Sequence, residues 1–158
     1  MIASCYGIAS LAAVPLCMVS SAPLGTLASL LLAGGASAFV YTGGPGLKYR
    51  ALGDLLISTT FGPLLVAFSY LTQAGTMSWR PLAAALPITM HIEAILHANN
   101  ARDVEEDLAS GVKTLAARMG SKRAADVYMA LITLPFLAPL VAAVRELIRG
   151  PPSLDHTY

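Results

Sequence analysis

PLAAALPITMHIEAILHANNARDVEED, the stretch from Pro81 to Asp107, decides how this chain folds. From Pro81 to Ala98 the only formal charge is Glu93, whereas Asn99 to Asp107 carry Arg102, Asp103, Glu105, Glu106 and Asp107. The first part suits a helix in a bilayer, which needs about 20 mostly apolar residues. The second part reads as a carboxylate cluster that this helix delivers to the membrane surface. Asp103 and Asp107 are four apart, so on a helix they share one face, with Cβ atoms about 5 to 6 Å apart. Oxygen ligands so placed suit a divalent cation such as Mg²⁺, and through it a polyphosphate. The competing reading is a solvated acidic helix start, favoured by the helix dipole.

The rest of the chain agrees with a membrane setting. Hydrophobic residues make up 56%, charged residues only 12%, and mean hydropathy is +0.66, whereas soluble domains are about a quarter charged. No charge occurs from Met1 to Leu47, a run too long for one span and broken at Ser20-Ser21-Ala22-Pro23-Leu24-Gly25. Further apolar runs cover Leu55 to Trp79, Pro81 to Ala98 and Val127 to Val144, which makes five expected transmembrane helices. If they alternate, Lys48, Arg50, Arg102, Lys113, Arg118, Lys122 and Arg123 share one face, leaving Arg80, Arg145 and Arg149 opposite. The positive-inside rule makes the motif face cytoplasmic. A signal peptide competes for the N-terminus, but the basic n-region is missing. A net charge of +1 supplies no field for nucleic acid. Cys5 and Cys17 read as small apolar residues, too few for a metal site and about 18 Å apart on a straight helix.

The loop after the second run, Tyr41-Thr42-Gly43-Gly44-Pro45-Gly46-Leu47-Lys48-Tyr49-Arg50, is a tight turn followed by aromatic and basic residues. Interfacial tyrosines and positive-inside residues account for it in ordinary terms. In functional terms, Lys48 faces a diphosphate and Tyr41 or Tyr49 offers its ring to a developing cation, worth about 0.5 to 2 kcal/mol. Glu93, His97, Asn100 and Asp107 recur at helical spacing, and a polar stripe in an apolar helix faces a partner or cavity, not lipid. Glu93 is either a protonated structural group bonded to His97 or a base in a cavity. His91, on the opposite side, reads as a packing or interfacial residue.

Two stretches carry a resemblance. Asn99-Asn100-Ala101-Arg102-Asp103, then Asp107, Gly111, Thr114-Leu115-Ala116 and Gly120, resemble the second aspartate-rich motif of the UbiA superfamily of intramembrane prenyltransferases, in its menaquinone-forming branch. Tyr41-Thr42-Gly43-Gly44, Lys48-Tyr49, Leu52-Gly53-Asp54 and Phe61-Gly62-Pro63-Leu64 resemble the loop and helix before it. The run Glu93 to Asn100 is similar to the animal UbiA-domain branch, and the likeness covers roughly Tyr41 to Pro135.

That resemblance implies an all-α, polytopic transmembrane bundle, about five spans (helices three to seven) of a nine-helix fold. Residues 1–149 would form a partial prenyltransferase domain and 150–158 a polar tail. The implied activity moves an isoprenoid such as geranylgeranyl from its diphosphate to an aromatic or naphthoquinone acceptor, in menaquinone (vitamin K2) or related quinone biosynthesis. Its implied partners are the isoprenoid diphosphate, the acceptor ring and the lipid bilayer, in the endoplasmic reticulum or Golgi membrane of a eukaryote. Carried over by residue, Asp103 and Asp107 ligate Mg²⁺ and act in catalysis with Lys48, while Asn99, Asn100, Arg102, Tyr41 and Tyr49 bind substrate. One departure matters: the family has an earlier Asn- and Asp-rich motif, yet no Asp or Glu precedes Asp54 here. The expectation is therefore a fragment, a splice product or a non-catalytic relative, inactive alone. The alternative function is a membrane binding or scaffold protein that keeps a prenyl-diphosphate or quinone pocket.

Overall fold

The computed structural model describes residues 2–149, and among them every regular element is helical. The polar tail expected at 150–158 lies outside the described residues. The chain runs through α1 (Ile2–Val19), α2 (Leu24–Thr42), a 3₁₀ turn at Leu47–Arg50, α3 (Gly53–Thr59), a π-helical turn at Thr60–Leu64 and α4 (Leu65–Ala74). It continues through α5 (Trp79–Arg102), α6 (Val104–Ala109), α7 (Leu115–Met119) and α8 (Ser121–Arg149). All five apolar runs are thus helical. Among the described residues four stretches are long and apolar enough to cross a membrane: Leu24–Thr42, Gly53–Ala74, Trp79–Arg102 and Ser121–Arg149. The first run is a shorter apolar helix, Ala3–Val19, at the lower limit of about 17 residues for a span.

Burial in this bundle is inverted relative to a protein that folds in water. The buried positions are mostly small or polar: Ala67, Ala85, Ala94, Ala116 and Ala124 alongside Asp54, Thr89, Glu93, His97, Asn100 and Thr114. Large apolar side chains such as Leu32, Phe39, Ile88, Ile95 and Leu147 point outward. Lipid tails are as apolar as leucine, so helices gain by bringing small residues together and by pairing polar groups across the seam. Helix α5 shows both halves of this rule, with Glu93, His97 and Asn100 inward and Leu86, Ile88 and Ile95 outward.

Local sequence explains where the elements break. Pro23 disfavours helical backbone at Ala22 before it and stands at the N-cap of α2, which keeps the two helices apart. Ser20 then donates from Oγ to the Thr72 carbonyl at 2.7 Å, tying this turn to the end of α4. Ala22, Leu27 and Leu71 close that end of the bundle as a small apolar core. Pro63 lacks an N–H and would collide with the carbonyl one turn back, and the π-helical turn that contains it absorbs the conflict. Beside it, a Cβ on Gly62 would run into the Thr89 hydroxyl, so this glycine lets the π-helical turn press against α5. Further along α5, the His91 ring stands edge-on to Phe136 of α8, centroids 5.4 Å apart, in the packing role expected of it.

The acidic run departs from a single continuous helix. Helix α5 stops at Arg102, and Asp103 sits at φ −95°, ψ 13° as the joint to α6. The Asp107 N–H still donates to the Asp103 carbonyl at 2.8 Å, so the spacing of four survives across the joint.

Candidate functional site

The loops 41–54 and 99–123 meet at one end of the bundle, and a buried polar node joins them. Asp54, in the first turn of α3, is 6% exposed and faces α5. Its Oδ2 lies 3.0 Å from His97 Nδ1, and its Oδ1 accepts from Asn100 Nδ2 at 3.2 Å. His97 Nε2 in turn lies 3.0 Å from the carbonyl oxygen of Ala124 in α8. That carbonyl only accepts, so Nε2 carries a proton, and the Nδ1–Asp54 contact holds another on the ring or the carboxyl. One imidazole therefore clamps three helices. Glu93, one turn deeper, accepts at Oε2 from Ser58 Oγ at 2.8 Å, while its Oε1 is buried with no partner. Of the two roles open to Glu93, a bond to His97 is not the one seen: Glu93 bonds to Ser58 and His97 to Asp54, both on α3.

Above this node lies the acidic run. Arg102 grips Asp103 as a fork, Nε to Oδ1 at 2.6 Å and Nη2 to Oδ2 at 2.9 Å. These bonds, with the Lys48 charge adding a smaller pull, hold the Asp103 carboxyl below the usual aspartate range. Asp107 accepts at Oδ2 from Thr114 Oγ1 at 3.1 Å, and the same hydroxyl caps α7 by accepting from Ala117 N–H. Asp103 and Asp107 are both half-buried, so their oxygens stay reachable from solvent.

The remaining expected residues divide. Lys48 and Tyr41 flank the start of α3: a Cβ on Gly53 would lie 3.1 Å from Lys48 Cα and 3.4 Å from Tyr41 Cε2. Tyr49 is exposed, and Asn99 is exposed with its carbonyl accepting from Asp103 N–H. The Asn100 amide is spent on Asp54, not on the acidic run. Asp54 itself was not among the expected site residues, although a signal for it existed. It is the single acidic residue before Glu93, so a buried stripe of Glu93, His97 and Asn100 that needed a carboxylate partner from upstream had one choice.

Comparison with known proteins fits this arrangement. The model of the UbiA prenyltransferase family matches residues 3–152. The chain belongs to the UbiA prenyltransferase family. It is 43% identical over 143 residues to UbiA prenyltransferase domain-containing protein 1 of Danio rerio, covering 90% of this chain and 43% of that protein. The Homo sapiens protein of the same name is 43% identical over 140 residues, 89% of this chain and 41% of the relative. A Drosophila melanogaster homolog is 40% identical over 121 residues, 77% and 34% respectively. This chain thus spans about two fifths of the length of the Danio rerio and Homo sapiens relatives and about a third of the Drosophila melanogaster one.

Divalent metal use is general in the UbiA family. At Asp103 and Asp107 the donor set is two carboxylates, reachable from solvent and held by side chains that can turn away. Hard oxygen ligands that leave room for water and phosphate oxygens are what Mg²⁺ demands, so these residues fit it.

Proposed function

We propose that these residues form the second half of a prenyl-transfer site, in which Asp103 and Asp107 hold Mg²⁺ against the diphosphate of an isoprenoid. The observation that supports this reading is the meeting of the two loops: Asp54 of one is bonded to Asn100 of the other, and Lys48 is near enough to pull down the Asp103 carboxyl. When bound, Mg²⁺ neutralises charge on the diphosphate and so eases its departure. Lys48 donates charge-assisted bonds to the same leaving group, and Arg102 turns from Asp103 to a phosphate oxygen, for which its fork is equally suited. The Tyr41 and Tyr49 rings face the allylic carbon as positive charge develops on it. The C–O bond to diphosphate breaks, a C–C bond forms at the acceptor ring, and the ring carbon loses its proton. The acceptor is a naphthoquinone-type ring, and the product a menaquinone or related quinone. The apolar groove lined by Leu30, Leu31, Gly34, Leu64 and Phe68 suits the isoprenoid tail.

The motif loops face the cytoplasm, on the basic-residue asymmetry, and the likeness to the animal relatives suits an endoplasmic reticulum or Golgi membrane of a eukaryote. Since no carboxylate precedes Asp54, these residues supply one flank of the metal site, and by themselves they transfer little or nothing. Reconstitution of the chain in lipid tests this. Geranylgeranyl diphosphate should bind more tightly with Mg²⁺ than without, and Asp103→Asn with Asp107→Asn should remove that dependence while leaving helicity intact. Transfer to a naphthoquinone should appear on adding a segment with the first motif, and each lost charge-stabilising group then costs about 10²- to 10³-fold in rate. Binding indifferent to Mg²⁺ and to both aspartates overturns the reading in favour of a non-catalytic binding protein.

A further inference from the structure

The buried node holds more chemistry than a helix clamp uses. Asp54, Glu93 and His97 each offer one ligand atom within 4.8 Å of the others, and all three are more than nine-tenths buried. Each also has an outer partner that orients it: Asn100 on Asp54 Oδ1, Ser58 on Glu93 Oε2, and the Ala124 carbonyl on His97 Nε2. Ligating histidines and carboxylates are characteristically held from behind in this way. Past those outer bonds, Asp54 Oδ2 and His97 Nδ1 bond only to each other, and Glu93 Oε1 is the third atom of the set. The first two lie 3.0 Å apart, a spacing that two ligands of one ion also adopt. The third is the one buried polar side-chain atom with no partner among the described residues.

We propose that Asp54, Glu93 and His97 form a site for a divalent first-row transition ion of the Zn²⁺ type, separate from the Mg²⁺ at Asp103 and Asp107. Charge balance favours it. Two carboxylates and a neutral imidazole cancel a 2+ ion, leaving a neutral centre in a bundle where unpaired charge is expensive. Without the ion, neutrality requires two bound protons. The imidazole selects against Mg²⁺ and Ca²⁺, which take oxygen ligands, and for ions that accept nitrogen. Ligands of Zn²⁺ sit about 2.0 to 2.2 Å from the ion, so Glu93 moves inward slightly to complete three positions, with a fourth open to water.

The site lies in the same seam that sets the spacing of α3, α5 and α8, so the ion acts as a bolt at the end of the bundle that carries both loops. His97 is five residues from Arg102, about 7.5 Å along the helix, close enough to fix where the α5 terminus presents Asp103.

The test uses the full chain in lipid nanodiscs, stripped by chelator and loaded with Zn²⁺, with metal content read by mass spectrometry. One ion should remain per chain after gel filtration, and thermal unfolding should shift upward with Zn²⁺. Glu93→Gln should lose the ion and the shift. That variant leaves the Asp54–His97–Asn100 bonds in place, so circular dichroism should report an unchanged fold. Ser58→Ala, which removes only an outer partner, should weaken affinity by about 10- to 100-fold. Asp103→Asn with Asp107→Asn should keep the ion, which separates this site from the Mg²⁺ site. Retention by Glu93→Gln, loss in the Asp103/Asp107 variant, or no stoichiometric ion in the unmodified chain overturns the proposal.

Discussion

Asp54 and Asp103 are aspartates at helix boundaries on the same end of one bundle, yet they are built into it in opposite ways. Asp54 is sealed from solvent and bonded to His97 and Asn100, partners 43 and 46 residues away in sequence. Asp103 is reachable from solvent, and its carboxylate is gripped by Arg102, the residue next to it. Removing a carboxylate of the first kind strands an imidazole and an amide inside the protein. Removing one of the second kind releases a guanidinium into water. Stability is therefore concentrated in the buried node, while the surface run keeps carboxylates whose present partners are easily exchanged for a ligand.

The largest effect that tests this contrast is the loss of Asp54. Breaking a buried pair by deleting one partner costs about 3 to 5 kcal/mol, because the other is left unpaired. Asp54→Ala should lower the stability of the chain in detergent by that amount, read as a shift in denaturant midpoint by circular dichroism. Asp103→Ala should stay within about 0.5 kcal/mol, as surface changes do. Equal losses for the two variants would erase the distinction.

A smaller effect sharpens it by touching the seam beside the node without touching its charges. Gly62→Ala places a methyl against the Thr89 hydroxyl, and overpacking of this kind costs about 1 to 3 kcal/mol. Adding Thr89→Ala makes room and should return most of the loss. If the single variant is silent, the π-helical turn and α5 are not pressed together at Gly62, and the node has freedom to open.

The same contrast explains what was legible in the sequence. The helices were, because each apolar run advertises its own span and each break carries its own signal, such as Pro23 or Gly75. Asp103 and Asp107 were visible as a pair because their relation is local, four residues apart. Asp54 was not, since alone it looks like an ordinary acidic residue favoured at a helix start. Its role depends on α3 lying against α5, which no local pattern states. Ser58 was hidden for the same reason: a serine in a span reads as packing until a glutamate on another helix faces it. Asn100 illustrates the converse, since its neighbours in sequence suggested the acidic run, while its face of α5 delivers it to Asp54.

The smallest expected effect concerns protons. Asp103 is held below the usual aspartate value of about 3.9 by its bonds to Arg102, with a lesser contribution from Lys48. A carboxyl depressed in the folded state contributes its pairing above the unfolded value and loses it as pH falls through the folded one. The Arg102–Asp103 contact should therefore be intact at neutral pH and come apart only below about pH 3.9. Carbon-detected NMR of the Asp103 carboxyl would follow it. Arg102→Ala should move the titration up toward the ordinary value, and Lys48→Ala should move it in the same direction by less. Because the carboxylate is reachable from solvent, neither variant should change the unfolding midpoint measurably at neutral pH, in contrast to Asp54→Ala. If Lys48→Ala leaves the Asp103 titration where it was, the two loops do not share a field, and Lys48 loses its claim on a phosphate bound at Asp103.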